Sequence, residues 1–174
     1  MRLDKLTTKF QEALSDAQSL AIARDNPYIE PAHMLSAMLT QADGPAALLQ
    51  RAGVDTARLR NALDAEIARL PQVQGGEQVQ AGRELGALLQ AAEKEAAKRG
   101  DQFIASEMLL LAAADAKSAI GPLLKEHGVT RKSLEAAIDA VRGGQKVDSA
   151  EAEGQREALK KYTIDLTERS EEVV

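Results

Sequence analysis

The sequence predicts an all-α fold of eight helices in two pseudo-symmetric four-helix repeats, and three observations lead there. Ala and Leu dominate the apolar residues, which make up 44% of the chain, while aromatics are only 2%. Ala and Leu favour helices, whereas strands draw on β-branched and aromatic side chains. Apolar residues also recur at i, i+3, i+4 and i+7 along several segments, the period of a helix with one buried face. Finally, sliding the chain against itself by 75 residues aligns 10–67 with 85–142 without a gap. Of those 58 pairs 15 are identical, where this composition gives about five by chance. The phrase YIEPAHML at 28–35 thus returns as FIASEMLL at 103–110.

Each repeat reads as four helices. The first opens near Thr7 or Thr8, either of which can cap, and Thr8 with Gln11 has the spacing of a capping box. It runs to about Arg24, where Asn26-Pro27 forbids continuation. Pro31 opens the second helix, as a residue suited to a first helical position, and Ser106 holds the matching place in the copy. A short third helix carries Leu48 and Leu49 and stops at Gly53; Leu123, Leu124 and Gly128 repeat the pattern. Asp55 caps the fourth helix and Thr130 the eighth.

The organisation follows. Residues 1–70 form the first repeat and 83–142 the second. Between them 71–82, with Pro, Gly and Gln punctuation, reads as an inter-repeat loop. The Gly-rich polar stretch 143–155 reads as a flexible linker, and 156–174 as the start of a further, truncated unit.

Composition excludes several functions. A net charge of −5 and the near absence of aromatics argue against a nucleic-acid partner. Zero Cys removes disulfides and thiolate chemistry, and it is compatible with a cytoplasmic location. The first residues lack the apolar core of a signal peptide, and no apolar run is long enough for a membrane span. His33 and His127 occupy unrelated places in their repeats and lack metal-ligand spacing, so structural or surface roles are expected. No nucleotide-binding loop or catalytic motif is present. The expectation is a fragment with no catalytic residue, no metal and no cofactor of its own.

Two features suggest binding. Asp101 and Glu107 flank the turn into the sixth helix. Glu107 fits a first-turn acid that favours the helix dipole, with Asp101 a solvated loop charge, or both rim an apolar groove. Leu85, Leu88 and Leu89 give the fifth helix a wider apolar face than the first has, either an enlarged core layer or the floor of a groove.

The segments MRLDKLTTKFQEALSDAQSLAIARDNPYIEPAHML, RLPQV, AAKRGDQFIASEMLLLAA and REALKKYTIDLTER closely resemble the N-terminal repeat domain of the Clp family of AAA+ proteins. The opening and exit segments favour its disaggregase branch over the protease-associated one. The resemblance implies a double four-helix fold, tethered to a homohexameric ring that uses ATP and Mg and works with the DnaK chaperone system. It implies a domain that recognises unfolded or aggregated polypeptide, with Thr7, Asp101 and Glu107 at the positions linked to that role. It also implies an apolar groove along the fifth and sixth helices involving Leu85, Leu88, Leu89 and Met108. Ala91 and Glu95 stand where the family often has longer apolar residues. The alternative is docking of a folded adaptor, as in Clp protease ATPases.

Overall fold

The computed structural model describes residues 2–42, 44–74 and 78–154. After a 3-10 turn (Leu3–Lys5), the first repeat contains α1 (Thr8–Ala23), α2 (Pro31–Thr40), α3 (Pro45–Arg51) and α4 (Thr56–Ala68). The second contains α5 (Arg83–Arg99), α6 (Ser106–Ala113), α7 (Gly121–Glu126) and α8 (Arg131–Arg142). The fold is the double four-helix unit that the 75-residue repeat predicts.

The repeated phrase forms the two central helices. α2 and α6 are buried on every side along most of their length, as helices apolar all round must be. α1 and α4 pack on α2, while α5 and α8 pack on α6. Phe10, Met34, Met38, Leu63, Leu85 and Met108 are fully buried among them, each such side chain contributing about 1.5–3 kcal/mol. Gly53 and its counterpart Gly128 hold positive φ, 87° and 77°, ending α3 and α7 where a Cβ would be strained.

The repeats are cross-stitched by backbone. β1 (Tyr28–Ile29) pairs in parallel with β2 (Gln80–Ala81), which immediately precedes α5. The copy does the same in reverse: Ile104 bridges to Leu6, immediately before α1. Gly82 N–H donates to the Ile29 carbonyl at 3.0 Å, and Thr7 N–H to the Ile104 carbonyl at 3.1 Å. Each repeat's lead-in thus closes on the other repeat's link, so neither quartet is complete alone.

One open alternative is decided and two expectations change. Thr7, not Thr8, caps α1, accepting from Phe10 N–H at 3.2 Å; Gln11 instead donates to the Leu6 carbonyl. The inter-repeat loop contributes β2, because Gln80 and Ala81 meet an unpaired link strand. The flexible linker expected over 143–155 is docked across its described part. Val147 is 2% exposed; its carbonyl accepts from Gln102 N–H at 2.8 Å, and the Ala150 carbonyl accepts from Thr8 N–H at 2.8 Å. Polar composition hid one buried Val and one buried Glu that pin the strap. Residues 156–174 lie outside the described residues.

Candidate functional site

The side chains expected to form a groove along α5 and α6 are interior. Leu85 and Met108 have no exposed surface and Leu88 is 5% exposed, so the wider apolar face of α5 is an enlarged core layer. That corrects the expected groove at these positions, which belong to the core where α5 packs on α6. Leu89 alone reaches the edge of a depression.

That depression runs between α1 and α5 and holds about 480 Å³. Leu14 and Leu89, aligned by the 75-residue shift, face it from the two sides, so it straddles the seam between the repeats. Leu3, Ile29 and Val79 complete the apolar wall, with Gln11, Gln18 and Gln80 at its rim. Leu3 is 55% exposed. Further along α1, exposed Ile22 and Val73 border a smaller recess of about 110 Å³. Leu14 shares the helical spacing of the buried face of α1, Phe10, Ala17 and Ala21, so only tertiary placement separates seam from interior.

Thr7, Asp101 and Glu107 converge on a buried polar cluster behind the first turn of α1. Arg142, at the end of α8, grips Asp101 with one nitrogen at 2.9 and 3.0 Å and Glu107 at 3.0 and 3.1 Å. All three side chains are at most 5% exposed. Asp101 is therefore no solvated loop charge, and neither carboxylate sits on a groove rim. Burial works against the Arg142 charge, but Glu107 and Asp101 more than offset it and hold the guanidinium above its ordinary value. Thr7 donates its hydroxyl to Glu153 at 2.6 Å, and the same carboxylate oxygen accepts from Ser106 N–H at 3.3 Å. The N-cap of α6 is Ala105, which has no capping side chain, so Glu153 supplies the cap from the exit strap. Burial first, and Glu107 second, push the Glu153 carboxyl above its usual range.

The first repeat builds a neutral counterpart. Asn26, equivalent to Asp101, accepts from the His33 ring at 2.8 Å and donates to the Pro71 carbonyl at 3.0 Å. His33 Nδ1 accepts from Glu30 N–H at 2.8 Å, which leaves Nε2 to carry the proton toward Asn26. Burial, then the charge of Arg24, lower the His33 pKa from 6.5 to about 4. His33 is thus structural, as its spacing predicts. Glu95 binds Arg131 bidentately at 2.7 and 2.8 Å, tying α5 to α8, and the Arg131 hydrogen bond lowers its pKa. No group of metal-ligating side chains occurs among the described residues, and no helix among them is long and apolar enough to cross a membrane.

The described residues define a tandem helical-repeat module with an apolar seam between its halves. More specifically, the Clp repeat (R) N-terminal domain family model matches residues 5–127, and the chain belongs to that family. It is 51% identical over 174 residues to the chaperone protein ClpB of Vibrio cholerae, covering 99% of this chain and 20% of that protein. The chain therefore spans about one fifth of the curated relatives it matches, corresponding to their N-terminal region. Its fold is that of the Hsp104 N-terminal domain from Candida albicans, with a TM-score of 0.74 at 23% identity, covering 85% of this chain and 98% of the other. A ClpV N-domain in complex with a VipB peptide aligns with a TM-score of 0.61 at 24% identity, over 78% of this chain and 85% of the other.

Proposed function

We propose that this domain captures apolar segments of unfolded or aggregated polypeptide in the α1–α5 seam and presents them to an ATP-driven hexameric disaggregase ring. One observation carries the reading: Leu3, Leu14, Ile29, Val79 and Leu89 line an open groove that the domain leaves unfilled. Open apolar surface of this kind marks an interaction site. β2 adds directionality. Among the described residues its strand partner is β1 alone, and it borders the groove, so an extended client can add main-chain hydrogen bonds along it.

The groove is small, so a single domain binds weakly once the entropic cost of association is subtracted. Tethering six copies around a ring raises effective affinity by about 10²–10⁴. Weak single contacts with high local concentration suit a module that must also release its client. ATP and Mg chemistry, and cooperation with a DnaK system, belong to the parts of the protein beyond this chain. Thr7 enters this function indirectly, by capping α1 and so fixing the Leu3 end of the groove, while Asp101 and Glu107 hold Arg142 of α8.

Fluorescence titration with a chemically reduced, permanently unfolded protein tests the assignment. Leu14→Asp places a charge in the seam and is expected to weaken binding roughly tenfold, about 1.4 kcal/mol. Unchanged affinity in a folded Leu14→Asp protein removes the seam as the client site.

A further inference from the structure

We propose that the seam between α4 and α7 is a second polypeptide-docking groove, selective for an apolar segment flanked by lysine or arginine. The pseudo-symmetry of the fold makes the case. In one sense of the repeat, α3 packs closely against α8. The reciprocal seam, α7 against α4, stays open and encloses about 580 Å³. Its floor is apolar, built from Ala62, Ala65, Leu70, Ile120, Pro122 and Leu123.

The sequence explains why one seam closes and the other does not. Glu30, Glu66 and Glu126 line the open seam, and at the equivalent positions of the closed one stand Ala105, Val141 and Arg51. Closing α7 onto α4 would bring three carboxylates together, with Arg69 as the one lining cation. Arg69 is already engaged by Glu66 at 2.9 Å. Glu84 adds further negative charge beside Glu30, whose carboxyl is pushed up by burial and by that neighbour. The lining therefore carries an excess of two negative charges over an apolar floor. A guest that fills it dry and satisfies its electrostatics presents aliphatic side chains with cationic flanks. The polar groups lining the first groove, Gln11, Ser15, Gln18 and Gln80, are all uncharged, so the two seams select different segments of a client.

Amide shift mapping on the 174-residue chain tests this directly, using a synthetic leucine-rich peptide flanked by lysines and a twin flanked by glutamates, at low salt. The lysine peptide is expected to shift Ala62, Ala65, Ile120 and Leu123. The glutamate twin is expected to bind there at least about fivefold more weakly, the upper range for one exposed ion pair. Replacing both rim acids, Glu66→Lys with Glu126→Lys, is expected to abolish that preference without altering shifts at Leu14 and Leu89. Equal affinity for both peptides, an unaffected double variant, or shifts confined to the α1–α5 seam overturn the proposal. The last outcome leaves the first groove standing, whereas shifts at α4–α7 alone sustain this site and sink the other.

Discussion

Thr7 and Glu153, 146 residues apart, share a 2.6 Å hydrogen bond in the interior. Through it the exit strap closes the helix start at Thr7 and caps α6 at Ser106, so chain beyond α8 is packed into the domain. Glu153→Ala leaves the Thr7 hydroxyl and the Ser106 amide without their partner, and is expected to cost about 1–3 kcal/mol in urea unfolding. Hydrogen exchange at Thr8 and Gln102, whose amides bind the strap backbone, should accelerate together. Native protection of both amides in that variant dissociates the strap from Glu153.

Glu153→Gln separates the hydrogen bonds from the charge. The amide oxygen still accepts from Thr7 and Ser106, but nothing anionic then faces Glu107. Because burial and Glu107 raise the Glu153 pKa, the stability it contributes is full below the ordinary carboxylate range. That contribution is lost as pH rises through the raised value. Glu153→Gln is therefore expected to equal or exceed the native protein at pH 7, with an advantage that shrinks on acidification. Thermal unfolding at pH 7 and at an acidic pH near the ordinary carboxylate range checks it, and a glutamine variant as unstable as the alanine one contradicts it.

His33 gives the opposite pH dependence. Its pKa is lowered from 6.5 to about 4 in the folded state, so the unfolded chain takes up the proton first. Stability is intact above the unfolded pKa and falls as pH drops from about 6.5 to about 4. Between pH 7 and pH 5 this one group should remove about 2 kcal/mol. His33→Gln has no such titration, so its stability difference from the native protein should narrow by that amount at pH 5. Parallel pH profiles for the two proteins would show that other groups set the acid limit.

Legibility divided along a physical line. Helical period, proline and glycine punctuation and capping residues are local signals, and they placed the helices and the terminators Gly53 and Gly128 from sequence. The 75-residue shift also exposed the pseudo-symmetry. The roles of Asp101 and Glu107 were not legible, since their partner Arg142 stands where the first repeat has the core residue Ile67. An arginine at the last turn of a helix reads as solvated until the fold brings two carboxylates to it. The strap failed for a similar reason: Val147 and Glu153 bury themselves through contacts far away in sequence. Leu14 and Leu88 are both leucines of amphipathic helices, and only packing shows one at an open seam and the other in the core.

Arg142 links α8 to both carboxylates, and its removal tests the cluster as a unit. Arg142→Met preserves length but leaves Asp101 and Glu107 buried without their cation. Breaking a buried pair in this way costs about 3–5 kcal/mol. A triple variant, Arg142→Met with Asp101→Asn and Glu107→Gln, should recover most of that loss, because no buried charge of the triad is left uncompensated. Additive losses in urea unfolding would mean the three side chains act independently, which their shared 2.9–3.1 Å contacts argue against.

Leu14 and Leu88 distinguish groove from core in one comparison. Leu88 is 5% exposed and part of the core, so Leu88→Ala should open a cavity and cost about 2–5 kcal/mol. Its effect on client affinity, measured for the folded protein, should stay within about twofold, since no lining atom of the seam is lost. Leu14→Asp should do the reverse. The side chain faces the open seam, so the stability loss should be about 1 kcal/mol while affinity falls about tenfold. Urea unfolding and fluorescence titration on both variants give four numbers, and the crossed pattern is the signature. If Leu88→Ala impairs binding more than Leu14→Asp does at matched folded fraction, clients reach the α5–α6 layer. The domain would then have to open that layer, separating α6 from α5 and exposing Met108, before it could bind.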